Sequence, residues 1–332
     1  MSPGNRWASV KVRWVGLGIV AVLLLGGAAF SQLGVRLASS QVISLVAAKT
    51  DQDVPQDDPR AAVWDAATPV EIPLSAQTIT VPNGGGGIRS VRVRSLVDGK
   101  KIFFRLEWDD PTENTTAFAP QDFRDAAAIE FPASGVSTVP SFCMGQTNAQ
   151  VNIWQWKGDW QGDIDRGFVN VPNAYPNVAS DLYPFQKEDT FYPGRAAGNL
   201  ISQPDRKSPV EDLVAAGFGT LTTAEVQKVQ GKGVWQDGKW YVVFTRDMDL
   251  GGGFYVPLKG GQTTNVAFAV WDGAKGERDG LKSVSQFAEL RIEGKDETGA
   301  NVISLVALGL LAAVGVAGFA YLIYKERLKR GA

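Results

Sequence analysis

The chain of 332 residues contains no histidine, one cysteine (Cys143) and three methionines. Without imidazole it cannot build a Ser-His or Cys-His catalytic pair, a zinc site with histidine ligands or a histidine-ligated haem. A single cysteine excludes an internal disulfide, a C-x-x-C-H haem attachment and an iron–sulfur cluster held by this chain alone. Any metal cofactor would therefore be bound through Met, Lys, Tyr, carboxylate or Cys143 itself. An excess of one charge is missing as well. With 33 basic against 35 acidic residues, nothing marks a nucleic-acid partner. No nucleophile stands beside a base, and Asp109 and Asp110 read as turn residues, so an enzyme acting alone is not expected.

What is present begins with two hydrophobic runs. Val302 to Tyr324 is uncharged throughout and would span about 34 Å as a helix, enough for a bilayer core. The basic stretch "KERLKR" follows at once and places that tail in the cytoplasm by the positive-inside rule. A basic start (Arg6, Lys11, Arg13) precedes a second uncharged run, Trp14 to Val35, which reads as a signal peptide or an N-terminal anchor. The expected organisation is a signal or anchor over 1–36 and a polar linker over 37–60, which includes "KTDQDVPQDDPR". A folded domain over 61–298 follows, then a transmembrane helix over 301–324 and a cytoplasmic tail over 325–332. The body is expected on the extracytoplasmic face of the cell membrane.

Between the runs the pattern is one of strands. In "KIFFRLEW", Ile102, Phe104, Leu106 and Trp108 share a face opposite Arg105 and Glu107. "SVRVRS" alternates in the same way. "KWYVVFTR" (239–246) and "NVAFAVWDG" (265–273) are apolar on both parities, as strands buried on both faces should be. Turn signals separate these segments at 98–100, 236–239 and 251–253. Only "SPVEDLVAAGF" (208–218) and the membrane runs look helical. The spacing predicts an antiparallel β-sandwich with a long insertion between about residues 170 and 232, and no internal repeat is visible.

Two clusters could carry chemistry. "SFCMGQTNAQVNIWQW" (141–156) sets Cys143 and Met144 before Trp154 and Trp156. If extended, it cannot point both sulfurs into one pocket. Trp154 and Trp156 share a face that suits a core or the wall of a flat cofactor. The second cluster runs from a strand through "DGAKGERDG" to Lys282. That residue reads either as a solvated surface lysine or as a buried uncharged amine able to ligate a metal.

The blocks "FCMG", "VNIWQWKGDW", "GRAAGNLIS", "SPVEDLVAAGFGTLT", "GKWYVVFTRDM" and "VAFAVWDGAKGERDGLKSVSQFAEL" together resemble the haem-binding domain of ethylbenzene dehydrogenase. This is the γ subunit of the periplasmic molybdenum enzymes of the dimethyl sulfoxide reductase superfamily. The resemblance covers Trp64 to Ile292. It implies a β-sandwich that holds one haem b non-covalently between an axial methionine and an axial lysine. Matched by motif, these are Met144 and Lys282, with Lys259 and Met248 as substitutes. Trp154 and Trp156 would be cofactor-binding. Arg166, Arg195, Arg246 and Arg278 are candidates to pair with the haem propionates. The resemblance further implies an iron–sulfur β subunit and a molybdopterin α subunit as partners. A soluble or membrane cytochrome would exchange electrons with the subunit, and the membrane lipid would anchor it. Several relatives are soluble periplasmic subunits, so the hydrophobic C-terminus is a departure that points to an anchored complex. A second reading of "VWDAATPVEIPL" (63–74) and the tryptophans is a membrane-tethered carbohydrate- or ligand-binding sandwich without haem, in which Trp154 and Trp156 line an open platform.

Overall fold

A computed structural model describes residues 43–133, 139–169, 171–179, 193–250 and 253–294. The chain divides into two units, Met1–Val42 and Ile43–Ala332, and every described residue belongs to the second. Both hydrophobic runs lie outside the described residues. Among the described residues no helix is long and apolar enough to cross a membrane.

Among the described residues fourteen strands carry the fold: β1 (Ser44–Lys49), β2 (Val70–Pro73), β3 (Ser75–Ala76), β4 (Ser90–Val97), β5 (Lys101–Asp109), β6 (Ala126–Pro132), β7 (Val151–Lys157), β8 (Val210–Ala215), β9 (Thr222–Thr223), β10 (Gln230–Gln236), β11 (Lys239–Asp247), β12 (Thr263–Trp271), β13 (Ser283–Val284) and β14 (Ala288–Ile292). They form two faces of a sandwich joined through one strand. Residues Thr263 to Val266 of β12 pair with β14 in a first sheet of order β10-β11-β5-β4-β1-β14-β12. Residues Ala267 to Trp271 of the same strand pair with β6 and so continue into a second sheet, β12-β6-β7-β8-β9. The short β13 adds to the other side of β12 and pairs in turn with β3.

Three expectations are corrected here. The sandwich is mixed, because β1 lies parallel to both of its neighbours, β14 and β4. That strand also falls in the stretch read from sequence as linker. Its alternation of Leu45 and Ala47, both fully buried, is too short to stand out beside the acidic run that follows. The stretch 208–218 is likewise no helix, since β8 occupies 210–215. Val210, Leu213 and Val214 fit a helical spacing. What overrides it is pairing along β7, from Val151 opposite Ala215 to Trp156 opposite Val210.

The core lies between the sheets. Phe104, Leu106, Trp108, Trp240, Val242 and Phe244 of the first sheet meet Ile129, Phe131, Trp154, Trp156, Phe268 and Val270 of the second. Trp156 packs edge-on to Trp240 with ring centroids 4.7 Å apart, and Phe104 edge-on to Trp154 at 5.9 Å. Such pairs add about 1 kcal/mol each to the area they bury. The outer face of the first sheet is closed too. Val54, Val63, Trp64 and Ala67 cover Leu96, Phe103 and Val243, which explains why β11 is apolar on both parities and why β5 carries Phe103 on the face it shares with Arg105 and Glu107.

Candidate cofactor-binding site

The outer face of the second sheet carries a cavity of about 730 Å³, in the size range of cofactor pockets. Strand register lays out its floor in rows. Ala267, Glu130, Ile153 and Leu213 lie across one row; Ala269, Ala128, Gln155 and Glu211 across the next; Trp271, Ala126 and Lys157 across the third. All of them line the cavity. Four alanines occupy the centre, where strands ordinarily carry β-branched or aromatic side chains, and their small size leaves the space open.

Loops from two distant parts of the chain close over this floor. The β6–β7 connection turns sharply at Met144, whose φ of 68° lies in the left-handed region, a conformation that costs a non-glycine residue about 1–2 kcal/mol. Three hydrogen bonds hold the turn. The Met144 amide donates to Glu130 Oε2 (3.1 Å), its carbonyl accepts from Gly217 N (2.8 Å), and Gly145 N donates to Ser141 O (3.0 Å). Because the segment is turned, Met144 lines the cavity while Cys143, also buried, does not. Burial pushes the Cys143 thiol up, so it is not poised as a thiolate.

Lys282 reaches the same cavity from the loop that precedes β13. It is 7% exposed, and its Nζ stands 5.2 Å from the centroid of the Trp271 ring. Its backbone is latched to the glycine run Gly84–Gly87. Lys282 N donates to Gly84 O (3.3 Å), and Lys282 O accepts from Gln77 N (3.1 Å). Gly85, with φ of 86°, sits so close that a Cβ there would fall 2.3 Å from Lys282 N. Glu130 lies between the two loops. Burial pushes its carboxyl up to about 7, against the pull of Lys282 and of the Met144 amide, and its Oε1 has no hydrogen-bond partner.

Part of the remaining polar lining is paired within the protein, including Arg124, which bonds Asp159 at 2.9 Å. Lys157 and Glu211 form a buried ion pair, and the Lys157 amine stands 4.2 Å from the centroid of Trp160. Trp160 belongs to the helix α1 (Gly158–Arg166). Burial pulls the Lys157 amine down and Glu211 opposes this. Arg278 stacks on Phe123 at 4.5 Å and, with Arg124, supplies the cationic part of the rim.

Met144 and Lys282, singled out in sequence, are thus brought together in one cavity. Trp154 and Trp156 are not part of it. Both are fully buried in the inter-sheet core, on the face of β7 opposite Ile153, Gln155 and Lys157. The expectation that they wall a cofactor is corrected, and the open tryptophan platform of the sugar-binding reading is absent at these positions for the same reason. Lys259 is exposed and Met248 packs at the edge of the inter-sheet core; neither lines the cavity. Of the four candidate arginines only Arg278 lines it. Arg166 is held by Thr115, Arg195 is exposed, and Arg246 is buried over Trp154 with its centre 5.0 Å from the ring. Sequence reading missed Glu130, the alanine floor and the glycine latch. The run "AAAIEF" with its lone carboxylate and "NGGGG" are the signals that carried them.

The family model described as ethylbenzene dehydrogenase matches residues 61–283. A protein of Haloferax mediterranei with the provisional name respiratory nitrate reductase heme subunit is 27% identical over 71% of this chain and 68% of its own length. The chlorate reductase subunit gamma of Ideonella dechloratans is 28% identical over 80% of this chain and 90% of its own length. The dimethylsulfide dehydrogenase subunit gamma of Rhodovulum sulfidophilum is 31% identical over 56% and 54%. Among solved structures, a family 9 carbohydrate-binding module of Caldicellulosiruptor kristjanssonii in complex with glucose aligns over 76% of this chain and 97% of its own, with 10% identity and a TM-score of 0.38. A similarity that low decides nothing about ligands.

Proposed function

Since the chain belongs to the ethylbenzene dehydrogenase family, we propose that it is an electron-transfer subunit that binds one haem b between Met144 and Lys282 and has no catalytic site of its own. The observation that carries the reading is the meeting of a thioether and an amine, from two separate loops, in one cavity of a chain without histidine. The donor set fits a haem iron with two protein ligands. The space fits as well, because the alanines keep the floor clear and apolar side chains make most of the wall.

Haem bound there supplies a one-electron couple, which methionine ligation tends to raise. The residues of the chain do the rest. The backbone of Met144 is held by its bonds to Glu130 and Gly217, so the turn that carries the thioether would be set before any cofactor arrives. Lys282 must offer its amine without a proton, because metal and proton compete for one lone pair. Glu130 is the buried carboxylate whose charge couples to that amine. Arg124 and Arg278 at the rim suit the propionates. If Met144 and Lys282 both hold the haem, they would leave no coordination site for a substrate, and the group would supply electron transfer alone.

In this reading the relay runs between an iron–sulfur subunit of a molybdoenzyme complex and an external cytochrome or membrane carrier. The named relatives, a heme subunit and two gamma subunits of oxidoreductases, support that placement. The uncharged run Val302 to Tyr324 and its basic tail support a membrane anchor, with the folded body on the extracytoplasmic side. The test is the full-length chain purified from haem-replete cells. It should carry one haem b per chain, extractable with acid–acetone; a colourless protein overturns the proposal.

A further inference from the structure

Outside the cavity the most demanding electrostatic arrangement is at one end of the sandwich. Asp110, at the end of β5, Asp125, just before β6, and Asp272, just after β12, each present a carboxylate oxygen within 4.8 Å of the others. All three are buried, with 0%, 0% and 2% exposure. Taking three like charges out of water this close together costs several kcal/mol per ion unless something compensates them.

The protein compensates only part of this. Asp125 accepts from Gly273 N (2.9 Å), Asn114 N (2.7 Å) and the Trp240 indole (3.0 Å). Asp272 pairs with Lys275 at 2.8 Å and accepts its amide, but that lysine is more than half exposed. Asp110 uses Oδ1 for the amide and hydroxyl of Thr112 (3.1 and 3.0 Å). Its Oδ2 is buried without any donor. The Trp108 indole draws the Asp110 pKa down, yet makes no hydrogen bond of acceptable geometry and is itself unpartnered. Among the described residues no cation pairs with Asp110 or Asp125. Their carboxyls are raised first by burial and then by a neighbouring carboxylate of the group, Asp125 to about 7.

The geometry points to a divalent-cation site formed by Asp110, Asp125 and Asp272, with calcium as its ion. Hard oxygen donors are the ligands calcium takes, and its metal–oxygen distance of about 2.3–2.6 Å places ligand atoms up to about 5 Å apart across the ion. Magnesium demands strict octahedral geometry at about 2.0–2.1 Å and gives up its waters reluctantly, which suits a fully buried site less well. The unpartnered Asp110 Oδ2 is the atom that most needs the ion. The site would fasten three connections at once: the ends of β5 and β12 and the start of β6. Two of these adjoin the cavity, through Arg124 and Ala126 on one side and Trp271 on the other. It is independent of the haem assignment.

The test uses the full-length chain stripped with EGTA and titrated with calcium alone by calorimetry, alongside thermal unfolding with and without the ion. One calcium per chain is expected, with a rise in Tm of about 5 °C or more at a hundredfold excess over Kd, and a smaller response to magnesium. Asp110→Asn and Asp272→Asn should each abolish the calcium-dependent shift, while Asp53→Asn, on the exposed loop before Trp64, leaves it unchanged. The ion-free Asp110→Asn chain should be at least as stable as the ion-free parent, since it loses an uncompensated buried charge; this separates loss of binding from loss of folding. No calcium heat and an unchanged Tm in the parent, or an undiminished calcium response in Asp110→Asn, would overturn the assignment.

Discussion

Replacing Gly85 with alanine tests how the Lys282 loop is held. Two costs are separable there. The residue has φ of 86°, and an L side chain in that region costs about 1–2 kcal/mol. In addition, its Cβ would lie 2.3 Å from Lys282 N and 2.7 Å from Lys282 Cα and C, all backbone atoms with no rotamer to escape into. Either the strand start moves or the glycine run does. Both carry the bonds Lys282 N to Gly84 O and Gln77 N to Lys282 O, each costing about 1–3 kcal/mol when broken in a buried place. Gly99 is the matched control, with φ of 88° and nothing within 4 Å of its Cβ. Urea unfolding of the full chain should give a loss of about 1–2 kcal/mol for Gly99→Ala. For Gly85→Ala the loss should be about 3–5 kcal/mol at similar m, with haem content falling only in the latter. Equal losses in the two variants would refute the claim that the glycine run sets the position of Lys282.

Three further outcomes follow from the same geometry. Ala128→Trp fills the cavity floor from a 4% exposed position and should lower haem content at least tenfold while the far-ultraviolet circular dichroism is kept; Ala128→Gly should bind as the parent does. Trp154→Ala should cost about 3–5 kcal/mol of stability, yet leave the haem spectrum of the folded protein unchanged, since the ring belongs to the inter-sheet core. Glu130→Gln concerns pH in the cofactor-free protein. The folded pKa of about 7 lies above the ordinary 4.5, so the contribution of Glu130 to stability is fully present below about 4.5 and lost as pH rises towards 7. The Gln variant, which cannot ionise, should therefore gain on the parent by up to about 3 kcal/mol across that window in thermal or urea unfolding; a pH-independent difference would contradict this.

The strands of the first sheet were legible because parity and burial agree in them. Ile102, Phe104, Leu106 and Trp108 all enter the core, and "DGK" and "QDGK" do form the β4–β5 and β10–β11 turns. Legibility failed where charge is buried. Glu211 and Asp212 sit inside β8 because Lys157 and Asn152 of the neighbouring β7, and the charge of Arg246 from the facing sheet, receive them. Polarity along one segment cannot reveal partners supplied by another. The linker reading failed for a related reason: β1 is stabilised by β14 and β4, more than two hundred and about fifty residues away in the register. Met144 and Lys282 were reached through the family resemblance rather than through spacing. The features that shape their cavity are small residues, which leave room instead of filling it and so give no hydrophobic signal.

The central claim is the joint ligation of one iron by Met144 and Lys282. Its most direct measurement is the low-temperature electron paramagnetic resonance spectrum, with haem content, of the parent chain, Met144→Ala and Lys282→Ala. The account expects a low-spin parent, and in each variant either loss of haem or conversion to high spin. Unchanged low-spin spectra at full haem content in both variants would contradict it.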